Sequence, residues 1–175
     1  VRNLIDFLNS VWADIHLNVD HSIIVKPSSI NIQINAFKII SDYIETGTYF
    51  AIGAGADDSE LTIKGCNVDD LSAIYSVASR IGVDFKILDK ETIRVSSKNK
   101  KHYQAVKFET RIYPGFPTDL QSIFGTLLTQ AKWVSRIFET LYEGRFNYLT
   151  ELENLGAKIE IFNSHEAIII GPTKL

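Results

Sequence analysis

Leu71-Ser-Ala-Ile-Tyr-Ser-Val-Ala-Ser-Arg80, Val83-Asp-Phe-Lys-Ile87 and Thr92-Ile-Arg-Val95 follow one another in the middle of the chain. Leu71, Ile74, Tyr75, Ala78 and Ile81 recur at steps of three and four, which lines one face of a helix. The two short apolar runs that follow are strand patterns, and Asp89-Lys-Glu91 between them is a hairpin turn. The same succession occurs twice more. Before it come Leu4-Ile-Asp-Phe-Leu8, the strictly alternating Ala13, Ile15, Leu17 and Val19, a turn at Asp20-His21, and Ser22-Ile-Ile-Val25. After it come a helix over residues 146–155, Ala157-Lys-Ile-Glu-Ile161, a turn at Asn163-Ser-His165, and Ala167-Ile-Ile-Ile170. The first strand of each pair begins at 13, 83 and 157, so the repeat steps are 70 and 74 residues.

Each of the two later copies carries an extra strand, helix and strand upstream. In the second copy the pattern predicts a strand at Phe37-Lys-Ile-Ile40, a helix over 42–56 and a strand at Leu61-Thr-Ile-Lys-Gly65. In the third it predicts a strand at Val106-Lys-Phe-Glu-Thr110, a helix from Asp119 to about residue 130, and a strand over 134–141. The unit therefore reads strand-helix-strand-helix-strand-strand. The fold class is α/β (α+β), with helices covering mixed sheets whose apolar strands must be buried. Pro27-Ser-Ser-Ile-Asn31 has the composition of a linker.

With 175 residues, 45% of them apolar and 22% charged, the chain can bury a substantial core. A net charge of −3 leaves no basic field for nucleic acid or anionic lipid. The short run Lys98-Asn-Lys-Lys-His102 reads as a solvated loop. No apolar run approaches the roughly 20 residues of a membrane span. Cys66 is the single cysteine, so no disulfide forms within the chain. No signal-peptide pattern opens the sequence, and a cytoplasmic location is expected. Val1 opens a chain with no Met, which reads as a segment of a longer protein. His16, His21, His102 and His165 are dispersed, so no metal centre is expected. Gly53-Ala-Gly55 falls late in a helix pattern and reads as a packing feature rather than a phosphate cradle. No cofactor is called for.

Three stretches carry chemistry. Tyr113-Pro-Gly-Phe-Pro-Thr-Asp119-Leu-Gln121 sets a carboxylate after a rigid turn at the mouth of an apolar helix. Asp42-Tyr-Ile-Glu-Thr-Gly-Thr-Tyr-Phe50 is an acidic helix start whose Asp42 and Glu45 are spaced as a capping pair. Glu139-Thr-Leu-Tyr-Glu-Gly-Arg-Phe146 precedes Glu151-Leu-Glu-Asn-Leu-Gly-Ala157. Together, over most of residues 37–175, these motifs resemble those of the UDP-N-acetylglucosamine 1-carboxyvinyltransferases, a family of enolpyruvyl transferases. The resemblance implies an inside-out α/β barrel, built from six such units in two domains. Residues 1–36 would then finish the first, catalytic domain, and residues 37–175 would supply two units of the second. On that plan the 175 residues hold one wall of an interdomain cleft and are inactive alone.

Local sequence makes Asp119 a residue of a helix's first turn, with Thr118 as N-cap. The resemblance implies more. Asp119 would accept the proton of the sugar 3-hydroxyl as that oxygen attacks C2 of phosphoenolpyruvate. Arg145 would bind the anionic phosphoenolpyruvate or the intermediate, a task suited to a guanidinium fork. The backbone of Leu141 would hold the uridine part. The implied partners are UDP-N-acetylglucosamine and phosphoenolpyruvate, with no nucleic acid and no membrane.

The sequence departs from the family pattern at two positions. Tyr43 stands where the family commonly has Arg, and Gly144 where it often has Asn. The family's Lys-Asn pair, its mobile loop with a proton-donating cysteine, and its more C-terminal arginines are absent from these residues. Cys66 ends a strand pattern and is not that cysteine. Two other readings stay open: an acceptor like that of the related shikimate-pathway enzyme, and a catalytically silent UDP-sugar-binding paralogue.

Overall fold

The computed structural model describes residues 1–31, 36–98 and 102–175. They form two compact units, Val1–Ile40 and Ser41–Leu175.

In the first unit, helix α1 (Arg2–Ser10) buries Ile5 and leads into the antiparallel hairpin β1 (Asp14–Leu17) and β2 (Ile23–Lys26). The Asn9 side chain ties helix to hairpin. Its Nδ2 donates to the Ile15 carbonyl at 2.8 Å, and its Oδ1 accepts the Ile15 N–H at 3.0 Å. The strand expected at residues 37–40 is not formed. Asn3 accepts the Ile40 N–H and donates to the Lys38 carbonyl, and Phe37 packs edge-on against Phe7. Backbone groups met by a side chain of α1 need no ladder partner.

The second unit holds two repeats. The first runs through α2 (Tyr43–Gly55), β3 (Glu60–Lys64), a 3₁₀ turn (Val68–Leu71), α3 (Ser72–Ile81), β4 (Asp84–Asp89) and β5 (Thr92–Ser96). The next runs through β6 (Tyr103–Gln104), β7 (Lys107–Glu109), a 3₁₀ turn (Thr118–Leu120) and α4 (Gln121–Leu128). It continues with β8 (Ala131–Phe138), α5 (Asn147–Asn154), β9 (Lys158–Asn163) and β10 (Glu166–Gly171). The sheet orders match: β3-β5-β4 in one and β8-β10-β9 in the other, all antiparallel. In the later repeat β6 and β7 also lie parallel to β8.

All three hairpins turn in the same way. Asp20, Asp89 and Asn163 each accept, through a side-chain oxygen, the N–H two residues on, at Ser22, Glu91 and His165. Helix ends follow local chemistry as well. Asp42 caps α2 by accepting the Ile44 N–H at 2.7 Å. Gly82, at φ 86°, ends α3 in the left-handed conformation that glycine adopts freely.

Phe50, Ile93, Phe124, Ile137 and Ile169 are at most 1% exposed, so each contributes about 1.5–3 kcal/mol by burial. Surface ion pairs contribute about 0–1 kcal/mol, so packing decides the fold. Gly53 fits the packing role, since a Cβ there would press on Leu61 of β3 and Val95 of β5.

Candidate active site

The site lies at the start of the α4 segment, with the β8–α5 loop beside it. Two expectations are corrected there. Thr118 is not an N-cap, because the 3₁₀ turn has Pro117 at that position and no side chain caps it. β8 ends at Phe138 rather than continuing to Leu141. The cause is Glu139, whose Oε1 accepts the N–H groups of Leu141 and Tyr142 at 2.8 and 3.0 Å and so folds the chain into a loop.

Glu139 is fully buried. Its Oε2 accepts the Thr118 hydroxyl at 2.7 Å and the Gln121 side-chain N–H at 2.6 Å. Burial pushes the Glu139 carboxyl up. Hydrogen bonds from Thr118, the Leu141 and Tyr142 N–H groups and Thr110 outweigh that and hold it below the usual carboxylate range. Glu139 is therefore an ionised hub that only accepts. The hairpin turn between β9 and β10 braces it, since the Glu139 N–H reaches the His165 carbonyl at 2.9 Å and His165 Nδ1 lies 2.8 Å from the Glu139 carbonyl oxygen.

The predicted pair comes together next to this hub. Arg145 donates from Nη2 to Asp119 Oδ1 at 2.7 Å and from Nε to Thr118 Oγ1 at 3.2 Å. Its guanidinium also lies 5.4 Å from the centre of the Tyr142 ring. Asp119 is exposed and caps no helix. Its carboxylate faces the guanidinium instead of the orphan N–H groups. Arg145 is about one-third exposed, which leaves part of its fork facing solvent and able to take an anion. Leu141 is at the loop surface, and its N–H is committed to Glu139.

Tyr43 belongs to the same place. Its ring packs edge-on against Tyr113 with centroids 6.0 Å apart, and Tyr113 donates to Asp70 at 3.0 Å. Burial raises the Tyr43 hydroxyl pKa, and the nearby charges of Asp119, Asp42 and Asp70 add to it.

Sequence reading found Asp119 and Arg145 but gave Thr118, Gln121 and Glu139 no part in the site. A signal existed for Glu139. Ser135, Ile137 and Glu139 alternate inward at the end of β8, and a carboxylate on a buried face demands partners. Cys66, in contrast, is buried, and its thiol donates to the Glu91 carbonyl at 3.4 Å. Among the described residues no group of His, Cys, Asp and Glu could hold a metal, and no helix is long and apolar enough to cross a membrane.

A family model described as EPSP synthase (3-phosphoshikimate 1-carboxyvinyltransferase) matches residues 1–175. The chain belongs to this family of enolpyruvyl transferases. Among curated members it is 42% identical over 144 residues to UDP-N-acetylglucosamine 1-carboxyvinyltransferase of Sulfurimonas denitrificans, covering 82% of this chain and 33% of that one. It is 34% identical over 175 residues to UDP-N-acetylglucosamine 1-carboxyvinyltransferase 1 of Clostridium perfringens, covering 100% of this chain and 41% of that one. The chain thus spans about a third to two-fifths of the length of these relatives. Two solved structures share the fold. The enolpyruvyl transferase NikO from Streptomyces tendae superposes with a TM-score of 0.85 at 23% identity, over 98% of this chain and 40% of that one. EPSP synthase from Acinetobacter baumannii superposes with a TM-score of 0.64 at 14% identity, over 95% of this chain and 39% of that one.

Proposed function

We propose that these residues serve an enzyme that moves the enolpyruvyl group of phosphoenolpyruvate to the 3-hydroxyl of UDP-N-acetylglucosamine and releases phosphate. The observation that carries the reading is an exposed Asp119 that caps nothing, paired with a partly exposed Arg145. It agrees with the activity in the names of relatives at 34–42% identity. Residues 1–36 close one domain of that enzyme, and residues 37–175 give two units of the other. The product would feed peptidoglycan precursor synthesis in the cytoplasm, and through the cell wall bear on cell shape, cell cycle and cell division.

The sugar 3-hydroxyl oxygen attacks C2 of phosphoenolpyruvate while C3 gains a proton, which gives a tetrahedral intermediate still bearing phosphate. Loss of a C3 proton and of phosphate then restores the double bond as the enolpyruvyl ether. Asp119 accepts the hydroxyl proton. The attacked carbon is cation-like by then and the proton leaves late, so placement matters more than basicity. Arg145 holds the anionic phosphoenolpyruvate or intermediate, and the Leu141 backbone borders the uridine. No cofactor enters.

The test is phosphate release from phosphoenolpyruvate by the complete protein with UDP-N-acetylglucosamine as acceptor. Acceptor-dependent release is expected. A second acceptor deserves one arm of the same assay, because the matching family model is described by the 3-phosphoshikimate reaction. Release with shikimate 3-phosphate alone would move the chain to that branch. No release with either would favour a silent paralogue and point first to Tyr43.

A further inference from the structure

Glu139 contacts neither carboxylate nor guanidinium of the Asp119–Arg145 pair, yet a single hydroxyl joins it to them. Thr118 gives its proton to Glu139 Oε2 at 2.7 Å, and the same oxygen accepts the Arg145 Nε–H at 3.2 Å. A threonine hydroxyl has one proton. With that proton committed to a carboxylate, the oxygen can present only lone pairs to Arg145. We propose that Glu139 is the positioning residue of the site: its ionised carboxylate sets the polarity of Thr118, which fixes the guanidinium of Arg145. The inference rests on the enolpyruvyl-transfer reading for the use it gives Arg145, but not for the geometry.

The preceding repeat shows that the fold does not require a carboxylate in this slot. Glu139 directly follows β8, and Cys66 follows β3 after one extra residue, Gly65. The Cys66 N–H donates to the Glu91 carbonyl at the hairpin turn, as the Glu139 N–H donates to the His165 carbonyl. The next N–H in each repeat goes to a hydroxyl, Asn67 to Ser41 at 2.9 Å and Thr140 to Thr110 at 3.1 Å. With these backbone contacts shared, the earlier repeat of residues 41–175 places a small thiol there and the later one a charged hub. Gln121 gives a second sign. Its amide is buried and turned so that Nε2 meets Glu139, although this leaves its Oε1 without a hydrogen-bond partner.

Glu139→Gln separates charge from shape. The new amide oxygen can keep the Leu141 and Tyr142 N–H groups. Rotating the Gln121 amide lets its unpartnered oxygen accept from the new NH₂, so the fold is retained. Thr118 then accepts from that NH₂, so its own proton has lost the carboxylate that held it and the lone pair offered to the Arg145 Nε–H is no longer fixed in direction.

The experiment uses the complete protein with ¹⁵N-labelled arginine, the Arg145 signal being assigned from Arg145→Lys. Solvent exchange of the Arg145 Nε–H and the kinetics with phosphoenolpyruvate are then measured. Glu139→Gln should speed the exchange roughly 10-fold or more. It should raise KM for phosphoenolpyruvate roughly 10- to 100-fold, the worth of one hydrogen bond to a charged group, with a smaller change in kcat. A merely structural role would lower the amount of folded enzyme, and so kcat, with KM and exchange unchanged. Thr118→Val should behave like Glu139→Gln, and Thr118→Ser should restore most of what valine loses. Unchanged exchange in folded Glu139→Gln overturns the proposal. If that variant does not fold, equal exchange in Thr118→Val and Thr118→Ser overturns it. A wild-type protein that releases no phosphate with any acceptor defeats the functional reading instead, and the exchange rates still decide the positioning.

Discussion

The two repeats of residues 41–175 share a sheet order, a hairpin turn and a backbone frame, and they differ in what their carboxylates do. At the start of α2, Asp42 accepts the Ile44 N–H and so completes a helix. At the start of the α4 segment, Asp119 leaves the helix N–H groups alone and faces Arg145. Both are acids at the start of an apolar helix segment, and sequence treats them alike. What separates them is the neighbour: a backbone amide in one repeat, a guanidinium held by a threonine and a buried glutamate in the other. One copy of a repeated unit thus uses its acid to complete a helix while its sibling leaves the acid exposed beside a guanidinium.

The sharpest way to break this comparison is to neutralise each acid in turn. Asp119→Asn in the complete protein should lower turnover by roughly 10²–10⁴, the usual contribution of a positioned general base, with little change in melting temperature. Normal phosphate release from this variant would remove Asp119 from the mechanism and leave the two repeats functionally alike.

A packing difference comes next. Gly47 sits where α2 meets Leu120 of the later repeat and Ile74 of α3, and Gly125 where α4 meets Tyr148 of α5. A Cβ at Gly47 would meet the ends of Leu120 and Ile74, which can shift. At Gly125 it would meet the ring and hydroxyl of Tyr148, a large and rigid neighbour. Glycine to alanine gains about 1 kcal/mol of helix propensity, and overpacking costs about 1–3 kcal/mol. Gly47→Ala should be close to neutral and Gly125→Ala a net loss of about 1–2 kcal/mol, read as denaturant midpoints. Equal midpoints would show that both interfaces adapt alike.

Much of the frame was legible because it is local. The three hairpins sit at an Asp or Asn whose side chain closes the turn within two residues, and the helix faces are written in three- and four-residue steps. The misreadings occur where distant groups intervene. Residues 37–40 have a strand composition, but Asn3 of α1 takes their backbone groups. Residues 139–141 look like the end of a strand until Glu139 captures two N–H groups ahead of it. Thr118 looks like a cap until a carboxylate 21 residues away claims its proton. Asp119 and Arg145 were found through resemblance to a family. The part of Glu139 depends on donors from three segments of the chain, and no single window contains them.

Neutralising Asp42 predicts a smaller effect than neutralising Asp119. Asp42→Ala should cost about 1 kcal/mol of stability, within the range for losing a helix cap, and leave turnover per folded molecule intact. Thermal unfolding and phosphate release measured on the same sample test this. A loss of turnover at full folding would mean that the earlier repeat, with α2, reaches the chemistry.

The finest distinction is between Glu139 and Cys66, equivalent positions that should act at opposite ends of the pH scale. Burial pushes Glu139 up, but its hydrogen bonds hold its folded pKa below the ordinary carboxylate value. Its stabilisation is therefore present above the unfolded carboxylate pKa and is lost as pH falls through that range toward the folded value. Burial pushes the Cys66 thiol up, and the charges of Asp89 and Glu91 add to it. Its contribution is present below the unfolded thiol pKa and is lost as pH rises through the folded one. Melting temperature followed across both ranges should show Glu139→Gln flattening the acid limb alone and Cys66→Ala the alkaline limb alone. If Glu139→Gln left the acid limb as steep as before, Glu139 would not be the ionised hub from which Thr118 and Arg145 take their orientation.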